Sequence, residues 1–147
     1  MNVSSVPAVL SALVESLNAA LTDDQTQIID GQPVTDPAPD VIAVGFTGIP
    51  GEAGVESVLG GRGGDMESYD IHCLASSWRG ATDPVVVRER AFALVGAVAL
   101  ELARDQSLGG LVMRARVSAR ALASEQTTEG ATATVAFTVH VEAQAGM

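Results

Sequence analysis

Helical and two-residue apolar spacings alternate along the chain in the order α-β-β-loop-β-α-β-β. This order predicts an α+β fold, an antiparallel sheet packed on one face by two main helices. Three observations carry that expectation. Apolar residues recur at helical spacing from Val6 to Leu21 and form a long run inside residues 84–105. They recur at every second position along two long segments after Gly110. Segments rich in Gly and Pro separate these stretches. With 147 residues the chain has room for one domain with a real core, read as residues 1–147. Its apolar content of 47% is mostly Ala and Val, and Phe46, Tyr69, Trp78, Phe92 and Phe137 are its only aromatics. Such a core rests on many small contacts and tight packing.

The first helix has Ser4 or Ser5 as a cap and Pro7 in its opening turn, where a missing N–H is not needed. Val6, Val9, Leu10, Leu13, Val14, Leu17 and Leu21 make its apolar stripe, opposite Ser11, Glu15, Asn18 and Thr22. Thr26 to Asp30 reads as a short strand ending at the Asp30-Gly31 turn. Pro33, Pro37 and Pro39 keep the next segment extended, and Val41 to Thr47 reads as a buried strand. Residues 48–65 contain seven glycines and are expected to form a long, flexible, functional loop. From Met66 the chain alternates, with Tyr69, Ile71, Cys73 and Ala75 on one face and Ser68, Asp70, His72 and Leu74 on the other.

Thr82-Asp83-Pro84 opens the second helix, which runs to about Asp105. Its ten-residue stretch from Ala91 to Leu100 is apolar all round, so burial on more than one side is expected. Gly96 within it points to close approach of another backbone. Two long strands then form a hairpin through a linker from Glu125 to Gly130. In the first, Leu111, Met113, Ala115, Val117, Ala119 and Ala121 share a face, and Arg114, Arg116, Ser118 and Arg120 share the other. In the second, residues 131–141 of odd number face the core, which sets Arg114 or Arg116 near His140 and Glu142.

Charge is unevenly placed. All eight basic residues are Arg. Residues 1–75 hold eleven acids against Arg62 alone, whereas residues 76–147 hold seven acids and seven arginines. A strongly acidic half disfavours sequence-reading DNA binding, yet suits a surface that DNA passes without sticking. No apolar run reaches the roughly 18 residues that span a bilayer. Met1 to Leu21 lacks the basic start of a secretory signal, and Cys73 is the only cysteine, so a soluble protein of a reducing compartment is expected.

Without Lys there is no P-loop, Schiff-base or pyridoxal chemistry. The Gly60-Gly61-Arg62-Gly63-Gly64 cluster follows a loop and is followed by Asp65 and Glu67, so it reads as a flexible loop rather than a phosphate cradle. His72 and Cys73 are neighbours on a strand and point to opposite faces, so they cannot chelate together. Cys73 reads as a small core residue. No G-x-S-x-G elbow is present. A Ser-His-Asp or paired-carboxylate site is assembled in space and stays open on residue types alone, but nothing sequence-local supports either, so no catalytic, cofactor-binding or metal-binding residue is expected. The Arg114, Arg116 and Arg120 row has two readings of similar weight. It is a solvated strand face paired to Glu142 and nearby acids, or an interface that meets the acidic half of another copy.

The capped helix VPAVLSALVESLNAAL, the strand ending in VIAVGF, the strand SYDIHCLASSWRG, the helix DPVVVRERAFALVGAVALEL and the closing pair of long strands resemble, in this order, the tail terminator proteins of long-tailed bacteriophages. The resemblance covers almost the whole chain and lies in layout rather than in a catalytic motif. It implies a non-enzymatic, homohexameric ring on the head-proximal end of the tail tube. Such a ring stops tube polymerisation and joins the tail to the head connector, while DNA passes through its lumen without specific binding. The partners implied are the chain itself, the major tail tube protein and a head–tail connector or stopper protein, in the virion and, during assembly, in the host cytoplasm. On this reading Glu52, Glu56, Arg62 and Asp65 of the 48–65 loop, together with Arg114, Arg116 and Arg120, are the expected interface residues. Another neck or tail-completion ring is the alternative, and a small-ligand binder or enzyme on an α+β scaffold is the remaining one.

Overall fold

In the computed structural model, residues 4–33, 38–60, 66–80, 83–127 and 130–144 are described, with backbone alone at 58–60 and 126–127. The elements are helix α1 (Val6–Ala20), strands β1 (Thr26–Asp30), β2 (Asp40–Val44), β3 (Val55–Gly60) and β4 (Met66–Arg79), helix α2 (Pro84–Arg104), and strands β5 (Arg114–Thr127) and β6 (Gly130–Gln144). The strands make one sheet in the order β1-β2-β4-β6-β5, and β3 also pairs with β4. Only β1 and β2 are parallel. This is the expected α+β architecture with helices packed on the sheet.

The two periodicities build the core together. Val9, Leu13 and Leu17 of α1 and Val87, Ala91, Leu94, Val95, Val98 and Leu102 of α2 are buried. They meet Tyr69, Ile71, Cys73 and Ala75 of β4 and the odd-numbered residues 131–143 of β6. The alternation read from Met66 onward is therefore correct. Even-numbered residues of β4 and β6 point to the opposite face, which no helix covers.

Beyond the expected β2, the chain holds an additional strand. Residues 55–60 are not loop: β3 pairs antiparallel with the first half of β4, from Val55 opposite Ile71 to Gly60 opposite Met66. The second half of β4 pairs with β2, which ends at Val44 rather than Thr47. The hand-over occurs at His72, whose carbonyl accepts from Gly45 N and Phe46 N at 2.9 Å, while its own N–H donates to Gly54 O at 2.8 Å. Gly45 and Gly54 cross so tightly that a Cβ on Gly54 would lie 1.9 Å from the Gly45 carbonyl oxygen. Gly54 is needed for that crossing, and Gly48 and Gly51 hold the positive φ of the turns before it.

Helix α2 begins as expected, with Asp83 accepting from Val85 N at 3.0 Å and Pro84 in the first turn; Thr82 lies outside the described residues. Its burial differs from expectation. One face packs on the sheet, and Val85, Val86, Phe92 and Leu100 remain exposed. No atom within 4 Å would meet a Cβ on Gly96, so among the described residues no other backbone approaches it closely.

The closing hairpin is longer than expected, with paired residues up to Thr127 opposite Gly130. It also carries a β-bulge: Val117 faces Val139 and Ala119 faces Thr138, leaving Ser118 as the extra residue. An extra residue reverses the side-chain phase. Arg114 and Arg116 therefore lie on the open face, as do Ala119, Ala121 and Ala123. Arg120, opposite Phe137, and Leu122, opposite Val135, turn to the helix side. The expected single row of three arginines is split between two faces.

Candidate interaction surfaces

Two buried carboxylates organise the parts that bear on function. Asp40 is fully buried at the start of β2. It accepts from Ser77 Oγ at 2.7 Å, Arg79 Nη1 at 2.9 Å and Nη2 at 3.3 Å, and Arg90 Nε at 2.7 Å. Arg90 also donates to Thr26 Oγ1 at 3.2 Å and lies 3.6 Å from Asp23. One carboxylate thus ties β2, β4, α2 and the start of β1 together. Burial works to raise its pKa, but the hydrogen bonds from Arg79, Arg90 and Ser77 outweigh burial and hold it below the usual carboxylate range.

Glu67 is the second, 2% exposed on the core side of β4. It accepts from the hydroxyl of Ser4, from Ser5 N at 3.0 Å, from Ser5 Oγ at 2.9 Å and from Ser57 Oγ at 3.1 Å. The expected serine cap is therefore shared. Ser4 Oγ accepts from Val6 N at 3.1 Å, and the carboxylate of a distant strand completes the helix N-terminus, where negative charge is favoured. Burial raises the Glu67 pKa and the serine hydrogen bonds bring it, on balance, below its ordinary value. Tyr69 lies alongside with its hydroxyl 2.8 Å from Ser5 Oγ, and burial pushes its pKa up to about 12.

Across the open face runs a charged band. Glu56 of β3 lies 3.5 Å from His72. Asp70 holds His140 Nδ1 at 2.7 Å, and Glu142 lies 3.6 Å from the other ring nitrogen while pairing with Arg114 at 3.3 Å. Arg114 stands opposite Glu142 and Arg116 opposite His140, as the alternation predicted. Beyond this band the face is paved with small residues. A concavity of about 460 Å³ is lined by Thr47, Gly48, Ile49, Leu74, Thr134 and Ala136 and by residues 121–123. Cys73 lies beneath, buried, with burial raising its thiol to about 12 despite a hydrogen bond from Gly45, so it stays protonated and unreactive near neutral pH.

On the helix side a second groove, about 450 Å³, separates α2 from β5. Its walls are Val95, Gly96 and Ala99 on one side and residues 117–120 on the other. Phe92, one turn before Gly96, is on the same side of the helix. Arg120 lines this groove, and the 41% exposed Leu122 follows it two residues along β5.

The expected interface residues thus fall in three places. Glu52 is exposed in a turn closed by its N–H to Ile49 O, and Glu56 joins the charged band. Arg114 and Arg116 border that band, whereas Arg120 belongs to the groove beside α2. Arg62 and Asp65 lie outside the described residues. Asp40 and Glu67 were not foreseen. For Glu67 the signal was present, since it shares the phase of Tyr69, Ile71 and Cys73 and so places an acid among core positions. Asp40 had no comparable mark.

Among the described residues, no group of three His, Cys, Asp or Glu side chains could hold a metal ion, and no helix is long and apolar enough to cross a membrane. The chain matches no protein-family model and shows no significant similarity to a curated protein.

Proposed function

We propose that this chain is a structural subunit of a bacteriophage tail. It assembles with copies of itself into a ring that caps the head-proximal end of the tail tube, ends tube growth and offers the surface that joins the head connector. The observation that carries this reading is the amount of interaction surface left unmade in a single chain. Among the described residues β1, β3 and β5 each pair with a strand on one side only, and α2 exposes Val85, Val86, Phe92 and Leu100 outside its core face. Exposed apolar residues grouped on one helix, beside a fourteen-residue strand that pairs with a strand on one side only among the described residues, are characteristic of a protein completed by other subunits. The resemblance of the sequence layout to tail terminators supports the same reading, and from it come the hexameric count and the passage of DNA through the lumen.

Electron microscopy of the chain mixed with its tail tube protein, beside the tube protein alone, tests this. Tubes of uniform length with a ring at one end are the expected result. Uncapped tubes of unchanged length refute the terminator role and favour a ring of the connector or neck.

A further inference from the structure

We infer that copies of this chain join head to tail by adding β1 of one copy to the free edge of β5 of the next, with Asp30 set opposite Arg120. The inference rests on the ring reading and names the contact that would close it. β1 and β5 are the two ends of the sheet order, and among the described residues each pairs with a strand on one side only; Ala115 at the start of β5 donates to Gln106 O, outside the stretch 120–124 that the contact uses. A strand that runs parallel to β2 is antiparallel to β5, because β2, β4, β6 and β5 alternate in direction. Copies related by rotation about an axis along the strands would therefore pair β1 and β5 antiparallel, the better-bonded arrangement.

The faces and charges select one register. On β1, Thr26, Ile28 and Asp30 share the helix side: Thr26 bonds Arg90 of α2, and Ile28 packs on the core. On β5, after the bulge, Arg120, Leu122 and Ser124 are on the helix side. Directly opposite residues must share a face. Placing Asp30 opposite Arg120 then sets Ile28 opposite Leu122 and Thr26 opposite Ser124, so charge meets charge, apolar meets apolar and hydroxyl meets hydroxyl. On the open side it sets Ile29 opposite Ala121. Arg120 and Asp30 are both exposed and have no ion-pair partner among the described residues. The same docking carries the incoming α1, which packs over β1, toward the groove beside Gly96 and Ala99. A two-fold contact of β5 with β5 would instead bring the arginines of both copies together, which is unfavourable.

The bulge gains a purpose on this account. Without Ser118 as an extra residue, Arg120 and Leu122 would exchange faces with Ala121, and neither could meet its counterpart on β1.

The test uses the full chain and measures its mass in solution and on tail tubes, with circular dichroism to verify folding. Arg120→Asp and Asp30→Arg should each abolish the oligomer, and mixing the two charge-reversed chains should restore pairing between them. Independently, a chain carrying Ile29→Cys and a chain carrying Ala121→Cys should form a disulfide-linked heterodimer on oxidation, with neither doing so alone; the native Cys73 is buried. A wild-type ring that survives both charge reversals and gives no such heterodimer overturns this contact and leaves the ring reading standing. A wild-type chain that stays monomeric even with tail tubes overturns both.

Discussion

Replacing Asp40 by Ala should lower the stability of the folded chain by about 3 kcal/mol, and the structure gives the reason for that size. The substitution removes the acceptor of four hydrogen bonds, three of them from guanidinium groups. Taking one partner from a buried ion pair costs about 3–5 kcal/mol, because the opposite charge is stranded. Here the stranded groups are Arg79 and Arg90, whose side chains are 32% and 35% exposed, so water recovers part of the loss and the lower end applies. Unfolding entropy near 2.1 cal/mol/K per residue makes that loss a fall in Tm of about 10 °C for a chain of this length. Thermal and urea unfolding followed by circular dichroism read it directly. The sign of the pH dependence follows as well. The folded pKa of Asp40 lies below its unfolded value, so its contribution is complete above about pH 4 and is lost as pH falls through the folded pKa. The gap between wild type and Asp40→Asn should therefore narrow below pH 4. A loss under about 1 kcal/mol for Asp40→Ala, or a gap that does not change in acid, would refute the network as a source of stability.

Glu67→Gln should cost about 2 kcal/mol, since an amide cannot accept from three serines at once, and should remove an acid-sensitive part of stability that wild type loses below about pH 4. Unfolding curves at pH 7 and pH 3 read this, and equal acid sensitivity in both proteins counts against it. Gly54→Ala places a methyl 1.9 Å from the Gly45 carbonyl, so β3 must shift or detach at a cost on the order of 3 kcal/mol. Accelerated proteolysis within residues 49–60 should report it, and a wild-type digestion pattern with unchanged Tm contradicts the crossing. Gly96→Ala should do the reverse: an exposed helical position with no atom within 4 Å gains about 1 kcal/mol, or roughly 3 °C in Tm. A destabilised monomer would reveal a close contact at Gly96 after all.

The fold was legible where a periodicity ran unbroken. The alternation from Ser68 to Ala75 and that from Ala131 to Glu142 fixed which residues face the helices, and the Asp83-Pro84 cap fixed where α2 begins. Legibility failed where one residue changes the phase or where composition masks structure. Ser118 cannot be recognised as a bulge from Ala-Arg-Val-Ser-Ala-Arg, since either phase gives a plausible strand, and that choice decides the face of Arg120. β3 was hidden by the seven glycines around it, because glycine signals loops yet also permits the close crossing of Gly45 and Gly54. For α2, an apolar run longer than one core face predicts burial on more than one side. The structure buries one stripe and exposes the excess. On the proposed ring reading that excess is surface for other subunits, which one chain's sequence cannot separate from its own core.

The division of charge between the two halves of the sequence takes on a spatial meaning once the internal pairs are set aside. Asp40 and Glu67 are consumed inside the fold, Asp23 meets Arg90, and Glu56 and Asp70 meet the two histidines. Of the described first-half acids, Glu15, Asp24, Asp30 and Glu52 are left without an ion-pair or side-chain hydrogen-bond partner among the described residues. On the other side, Arg79 and Arg90 are taken by Asp40, Arg104 by Glu101 and Arg114 by Glu142, which leaves Arg88, Arg116 and Arg120. Glu89 and Glu125 are exposed acids of the second half and dilute this contrast without reversing it. Because β1 comes early in the chain and β5 late, an asymmetry along the sequence becomes an asymmetry across the sheet, with acid at one edge and arginine at the other. Opposite charges at opposite edges of the same subunit favour a contact between unlike surfaces over a two-fold one. Repeated by rotation, that contact produces a closed ring or an open filament rather than a dimer.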